Sequence, residues 1–331
     1  MNSIETSELT KKFDGITAVD GLSIQVKEGE VFGILGPNGA GKTTTLSMLC
    51  TILKPTSGTA TVNGFDIIDR PHDVRRSIGI VFQDPSLDNR LTGSDNLHIH
   101  AALYGVDDRI AEERIEKLVK LVGLEDRINH LVKTYSGGMR RRLEIARGLV
   151  HTPRVLFLDE PTLGLDPQTR SKVWEYIDSV RKSERITVVL TTHYMEEAES
   201  LCDRVAIVDN GRIAALDSPH ELTKKTGSEV VTLTMADSSR AGEFKTIPTV
   251  TNVKSPSEGV VMLSVQDSAA AVPKIMRRAL ELGMEVKTLD VQKVTLNEVF
   301  MHYVGREIRE EEGKHSAKEM MKHRLQASGR I

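Results

Sequence analysis

Cysteine is scarce in this chain. Among 331 residues only Cys50 and Cys202 occur, neither with a C-x-x-C partner, which argues against a zinc or disulfide framework and fits a reduced compartment. Long apolar runs are missing too. No window reaches the roughly eighteen consecutive apolar residues a membrane helix requires, and the segment Met1 to Lys11 is too polar for a secretory leader. The expectation is a cytoplasmic chain, so that any work at a membrane needs another polypeptide to do the spanning. The third absence is an excess of positive charge. With 44 Lys and Arg against 47 Asp and Glu, the formal net charge is -3, and composition offers no electrostatic case for nucleic acid as a partner. The cluster Arg140-Arg141-Arg142 is the local exception and reads as a solvated helix face.

What the chain does contain is a phosphate-binding loop. Gly36-Pro37-Asn38-Gly39-Ala40-Gly41-Lys42-Thr43 fits G-x-x-x-x-G-K-[ST] at every fixed position and follows the apolar run Val31 to Leu35. A triphosphate needs several donors converging on crowded negative oxygens, and glycines let backbone N–H groups approach without obstruction. The helix expected over Lys42 to Leu53 adds its positive end. Gly36, Asn38, Gly39, Gly41, Lys42, Thr43 and Thr44 are therefore the candidate phosphate contacts, with Lys42 reaching the β and γ phosphates and the Thr43 hydroxyl on Mg²⁺.

Around the loop, short strands are expected at Thr17 to Val26, Glu30 to Gly36 and Thr59 to Asn63. From Asp84 to about Leu149 the pattern turns helical, with Ile110, Ile115, Leu118, Leu121 and Val122 at helical spacing. Val155 to Leu158 and Ile186 to Leu190 are apolar runs typical of buried parallel strands, separated by a helical stretch from Thr169 to Lys182. Asn210-Gly211 between two apolar runs signals a hairpin. A nucleotide domain over residues 1–219, with a helical subdomain at about 84–150, is the expected organisation. Beyond it, residues 220–305 predict a small α+β domain: strands Glu229 to Met235, Val261 to Val265 and Met284 to Asp290, helices Ser268 to Leu282 and Leu296 to Tyr303, in a βαββαβ-like order with a weak first helix. Residues 306–331 read as a charged tail.

The strand Val155 to Leu158 ends in Asp159-Glu160, placing two carboxylates at the edge of a sheet beside the phosphates. Asp159 is suited to hold Mg²⁺ through water, and Glu160 to polarise an attacking water as general base. Tyr135-Ser136-Gly137-Gly138-Met139 lies upstream, with Ser136 as N-cap of a helix and thus a second anion site.

The phosphate loop, Gln83, the Ser-Gly-Gly element, Asp159-Glu160, Leu165-Asp166 and His193, in this order, resemble the ATP-binding subunit of ATP-binding cassette transporters from about Ser3 to Pro219. The resemblance implies an α/β P-loop NTPase with an antiparallel β subdomain and a helical subdomain, hydrolysing ATP with Mg²⁺. It places Phe13 where an aromatic stacks on adenine, with a core phenylalanine as the competing reading. It gives Gln83 to sensing Mg²⁺ and the attacking water, Ser136, Gly137 and Gly138 to the phosphates, Asp166 to the dimer interface and His193 to the γ-phosphate. Because one loop and one signature serine act on the same nucleotide only across a two-fold axis, the resemblance implies a homodimer driving a separate transmembrane permease, held by it at the inner face of the membrane.

Tyr135 and Met139 depart from the commoner Leu-Ser-Gly-Gly-Gln form, which puts secondary polar contacts of the lost glutamine in doubt. Together with Leu91 to Leu97, Leu103-Tyr104-Gly105, Thr192 to Ala198 and Thr295-Leu296-Asn297-Glu298-Val299-Phe300, the variant resembles the daunorubicin-resistance type of exporter ATPase. An importer ATPase, or a non-transport cassette acting on ribosomes or nucleic acid, are the alternatives. The latter usually carries two cassettes or a long coiled coil, and this chain has neither.

Overall fold

The computed structural model describes residues 1–226, 229–236, 238–292 and 295–304, so the tail expected over 306–331 lies outside the described residues. The chain opens in β1 (Asn2–Phe13), β2 (Ile16–Leu22) and β3 (Gln25–Lys27), then enters a central sheet with β4 (Val31–Leu35), followed by α1 (Lys42–Leu49). It returns to the first sheet with β5 (Ser57–Val62) and β6 (Phe65–Asp66), then forms α2 (Pro71–Ser77) and β7 (Ile78–Val81). Three helices come next, α3 (Gly93–Leu103), α4 (Asp108–Leu121) and α5 (Gly137–Leu149). The central sheet is then completed by β8 (Val155–Asp159), α6 (Pro167–Glu184), β9 (Thr187–Thr192), α7 (Met195–Leu201), β10 (Arg204–Asp209) and β11 (Arg212–Asp217).

That sheet has the order β11-β10-β4-β9-β8-β7 and is parallel except for the edge strand β11. Strands β4, β8 and β9 are buried at every residue, because both faces are covered, which is why they read as continuous apolar runs. The hairpin β10–β11 turns at Asn210 and Gly211, whose φ values of 48 and 79 are the left-handed pair that a two-residue turn demands. The first sheet, β2-β1-β5-β6 with β3 on β1, is antiparallel and covers one side of the phosphate loop. Two separate cores lie on the two faces of the central sheet.

Several expected boundaries shift. The helix after the loop ends at Leu49 rather than Leu53, and Thr51 at φ 61 has already left helical backbone. The strand expected over Thr17 to Val26 is broken into β2 and β3. The helical stretch from Asp84 starts only at Gly93, where Thr92 and Asp95 form a reciprocal capping box. Ile110, expected on the apolar face, is 52% exposed, and α4 instead buries Ala111, Ile115, Leu118 and Val119.

The remaining chain forms α8 (Pro219–Thr226), β12 (Glu229–Met235), β13 (Val250–Ser257), β14 (Val260–Val265), α9 (Ser268–Glu281), β15 (Val286–Gln292) and α10 (Leu296–Val304). Its antiparallel sheet runs β13-β14-β12-β15, with α9 closing a small core of its own. A 3-10 turn at Ala241–Thr246 stands where the first helix of a βαββαβ unit would be. The two flanking helices belong elsewhere: Leu222 of α8 and Leu296, Val299 and Phe300 of α10 are buried in the larger core of the nucleotide domain.

Candidate functional site

Strand β4 delivers Gly36 to the edge of the central sheet, where its N–H donates to Thr192 O at 3.2 Å. A Cβ on Gly36 would lie 2.3 Å from Val208 O. At Gly41, φ is 100 and a Cβ would lie 2.3 Å from Ala18 O, so both sterics and backbone conformation restrict the position to glycine. No side chain caps α1, which leaves the first-turn N–H groups of Lys42, Thr43 and Thr44 for an anion. Asn38 and Gly39 form the exposed tip of the loop.

Lys42 is 5% exposed, and its ammonium donates to Gly36 O at 2.8 Å and Pro37 O at 3.2 Å. The same Nζ lies 3.2 Å from Glu160 Oε1. Glu160 Oε2 meets His193 Nδ1 at 2.6 Å. Backbone geometry fixes this carboxylate: Glu160 has φ 47, and its N–H donates to Thr191 O and Thr191 Oγ1 at 3.2 and 3.0 Å. Burial raises the Glu160 carboxyl, but the His193 hydrogen bond and the Lys42 charge outweigh it and hold the group below the usual carboxylate range. Glu160 is therefore ionised at neutral pH and able to accept a proton.

Asp159 Oδ1 accepts from Thr43 Oγ1 at 3.2 Å and from Thr191 Oγ1 at 2.5 Å. Thr43 and Asp159 thus offer adjacent hard oxygen donors, the type Mg²⁺ prefers. No cluster of three or more His, Cys, Asp or Glu able to hold a metal occurs among the described residues. The residues fit Mg²⁺ bound with a triphosphate.

Lys42, Thr43, Asp159, Glu160 and His193 are therefore brought together by direct contacts. Gln83, in the exposed segment after β7, lines a shallow hollow with Glu160, Pro161, Gly137 and Leu165. Ser136 caps α5, its Oγ accepting from Met139 N at 3.3 Å, and both Ser136 and Gly137 are exposed. Gly138 is buried, and a Cβ there would lie 2.4 Å from Thr169 Cγ2. Asp166 caps α6 by accepting from Thr169 N and Oγ1 at 3.0 and 2.6 Å, bonds that hold its carboxyl below the usual range. Phe13, at the end of β1, is 41% exposed with the Lys11 ammonium 4.9 Å from its ring centroid. The competing reading of Phe13 as a core side chain does not hold.

The basic cluster is corrected more sharply. Arg141 is 7% exposed and paired with Glu144, not solvated. Burial pushes its guanidinium down from its ordinary value, with the Glu144 charge opposing. Arg142 lies over the Tyr176 ring and donates to Val122 O at 2.8 Å. A charge run on a helix conceals which members face inward, and Glu144 three residues on was the available signal.

Two buried polar positions escaped the sequence reading. Thr191 joins Asp159 to the Glu160 backbone, and its signal was a pair of threonines closing an apolar strand. Glu197 of α7 is fully buried, accepting from Thr162 Oγ1 at 2.8 Å and Trp174 Nε1 at 2.9 Å, and burial pushes its carboxyl upward. Nothing in its local sequence, Met195-Glu196-Glu197-Ala198, separates it from the exposed Glu196.

Residues 19–163 match the family described as ABC transporter, and residues 218–304 match the C-terminal domain of ATP-binding protein DrrA1-3-like. The chain is 42% identical over 312 residues, 92% of each chain, to the daunorubicin/doxorubicin resistance ATP-binding protein DrrA of Streptomyces peucetius. It is 39% identical over 303 residues, 91% of this chain and 94% of the relative, to the Nod factor export ATP-binding protein I of Ralstonia nicotianae. Among solved structures it resembles a dimeric ATP-binding cassette in a post-hydrolysis state bound to ADP and Pi, with a TM-score of 0.58 and 28% identity, covering 65% of this chain and 98% of that one.

Proposed function

Because the chain belongs to the ABC transporter family, in its DrrA-like branch, we propose that its contiguous Lys42–Glu160–His193 cluster is the hydrolytic half of a nucleotide site completed by Ser136 of a second copy. The chain is an ATPase of exporter type. In this reading residues 1–219 with the flanking helices α8 and α10 form the motor, and the sheet β12 to β15 with α9 an accessory module.

Phosphates would sit on the N–H groups of the loop and first turn of α1, with Phe13 against the base. Mg²⁺, held by Thr43 and through water by Asp159, would neutralise phosphate charge. The Lys42 ammonium exchanges the carbonyls of Gly36 and Pro37 for phosphate oxygens. That exchange releases Glu160 Oε1, while His193 keeps hold of Oε2 until the γ-phosphate draws it away. Glu160 then accepts a proton from the attacking water, with Gln83 orienting that water. Asp166, beside the signature helix, would lie at the dimer seam. Cleavage lets the copies part, and that cycle drives the permease.

Among the described residues no helix is long and apolar enough to cross a membrane. In this reading translocation falls to a separate permease, with this subunit on the cytoplasmic face. The exported molecule belongs to the drug, antibiotic, lipid or polysaccharide classes.

The observation that carries the proposal is Glu160 bridging Lys42 and His193. Glu160→Gln should bind ATP and lower turnover by about 10²- to 10⁴-fold, the usual contribution of a general base. Wild-type turnover in that variant removes Glu160 from the role. Membrane fractionation with and without a co-expressed candidate permease tests the coupling, since recovery in membranes should require the partner.

A further inference from the structure

Helix α5 starts at the signature serine and carries a buried ion pair one turn in. Arg141 and Glu144 have side chains 8% and 2% exposed, with Nη1 and Oε2 3.2 Å apart. Burying two charges is costly, and replacing such a pair by apolar side chains is often neutral or stabilising. Stability alone is thus a poor account of the pair. Its remaining hydrogen bonds suggest what else it does.

The Arg141 guanidinium donates to Asp159 O at 2.8 Å, to Pro161 O at 2.7 Å and to Phe82 O at 2.5 Å. The first two carbonyls flank Glu160, and the third belongs to the residue before Gln83. Glu144 Oε1 accepts from Ser86 N at 2.9 Å, on the other side of Gln83. Arg147, one turn further along α5, donates to Ser86 O at 2.7 Å and also to the Ser86 hydroxyl. One helix therefore grips the Gln83 segment at both ends and the Glu160 peptide on both sides. A guanidinium is suited to this because its planar fork presents five donors in a rigid geometry, whereas an ammonium is a compact charge with three rotatable donors.

We propose that the Arg141–Glu144 pair is a positioning element that locks Gln83 and Glu160 into one frame with the signature helix. Movement of α5, when Ser136 engages a nucleotide on a second copy, is then transmitted directly to the water-orienting segment and the general base. The inference rests on the roles assigned above to Gln83 and Glu160. It adds that their register relative to each other is set from α5, beyond the local backbone bonds that Glu160 makes to Thr191.

The test compares Arg141→Lys and the double variant Arg141→Met/Glu144→Leu with wild type and with Glu160→Gln. Melting temperature, ATP affinity, kcat and amide exchange of residues 82–87 are measured. The apolar double variant should fold and bind ATP within about twofold of wild type, yet lose roughly ten- to a hundredfold in kcat, the scale of an ångström-level misplacement. Exchange at 82–87 should quicken. Arg141→Lys keeps the charge but loses the fork, and should lower kcat without changing ATP affinity, which keeps the test open if the double variant does not fold. Wild-type kcat in a folded variant of either kind overturns the positioning role. Glu160→Gln separates the two levels: if it alone is inactive, only this inference fails, and if it is fully active, the assignment of Glu160 fails.

Discussion

Glu160 lies between Lys42 and His193 in a pocket where each of the three is poorly hydrated, with Lys42 and Glu160 at 5% and 7% exposure. Removing one member of a buried pair leaves an uncompensated charge, a loss of about 3–5 kcal/mol where nothing else compensates. Here the carbonyls of Gly36 and Pro37 still hold Lys42, so the loss should fall below that range. Glu160→Gln should accordingly melt below wild type without nucleotide, and ATP should raise its melting temperature by more than it raises wild type's. Calorimetry with and without ATP checks this, and equal increments would contradict it. A second effect arises at His100, whose imidazole is pushed down to about 4 by burial and then by the charges of Arg147 and His151. Tyr104 and His151 stack beside it. Between the unfolded value near 6.5 and the folded value, only the unfolded chain takes up this proton, so its contribution to stability is present above about pH 6.5 and is lost as pH falls toward about 4. His100→Leu should flatten the fall of melting temperature across that window. An unchanged slope would place the proton uptake elsewhere, with His151, also lowered by burial, as the next residue to test.

At the scale of elements, legibility followed burial on both faces. Strands β4, β8 and β9 were readable because nothing polar interrupts their interiors, and the motif residues sit at their ends. Strand β1 was not, although it is the longest, because its inward face uses hydroxyls. Thr6 Oγ1 donates to Leu22 O at 2.8 Å and accepts from Ile24 N at 2.9 Å, which satisfies a buried polar group but erases the apolar alternation. Strand β13 was hidden for the opposite reason, being exposed along most of its length. The site was legible as an ordered set of motifs, whereas Thr191, Glu197 and the inward turn of Arg141 depend on contacts between distant segments. Helix α10 was foreseen as an element but not as part of the motor's core. Leu296 N donates to Glu199 Oε1 of α7 at 2.5 Å, and Phe300 is fully buried. Phe300→Ala should therefore cost about 3–5 kcal/mol in the unfolding of the nucleotide domain itself. Denaturant unfolding followed at Trp174, in α6, would reveal this, and loss confined to the accessory sheet would contradict it.

At the scale of the whole molecule, the chain carries one phosphate loop and one signature serine. Glu160 contacts both Lys42 and His193, Thr43 contacts Asp159, and Thr191 links the two groups, while Ser136 and Gly137 are exposed at the start of α5. In the proposed dimer each loop meets the signature serine of the other copy, which implies that a single copy turns over poorly. Replacing Ser136 by Arg would then abolish turnover while leaving ATP binding to the monomer within a few-fold of wild type. The decisive measurement is the mass of the Glu160→Gln protein by light scattering, with and without ATP and Mg²⁺. The account predicts that the mass doubles on adding nucleotide and returns to the single-chain value when Ser136→Arg is also present. A nucleotide-loaded protein that keeps the mass of one chain would contradict it.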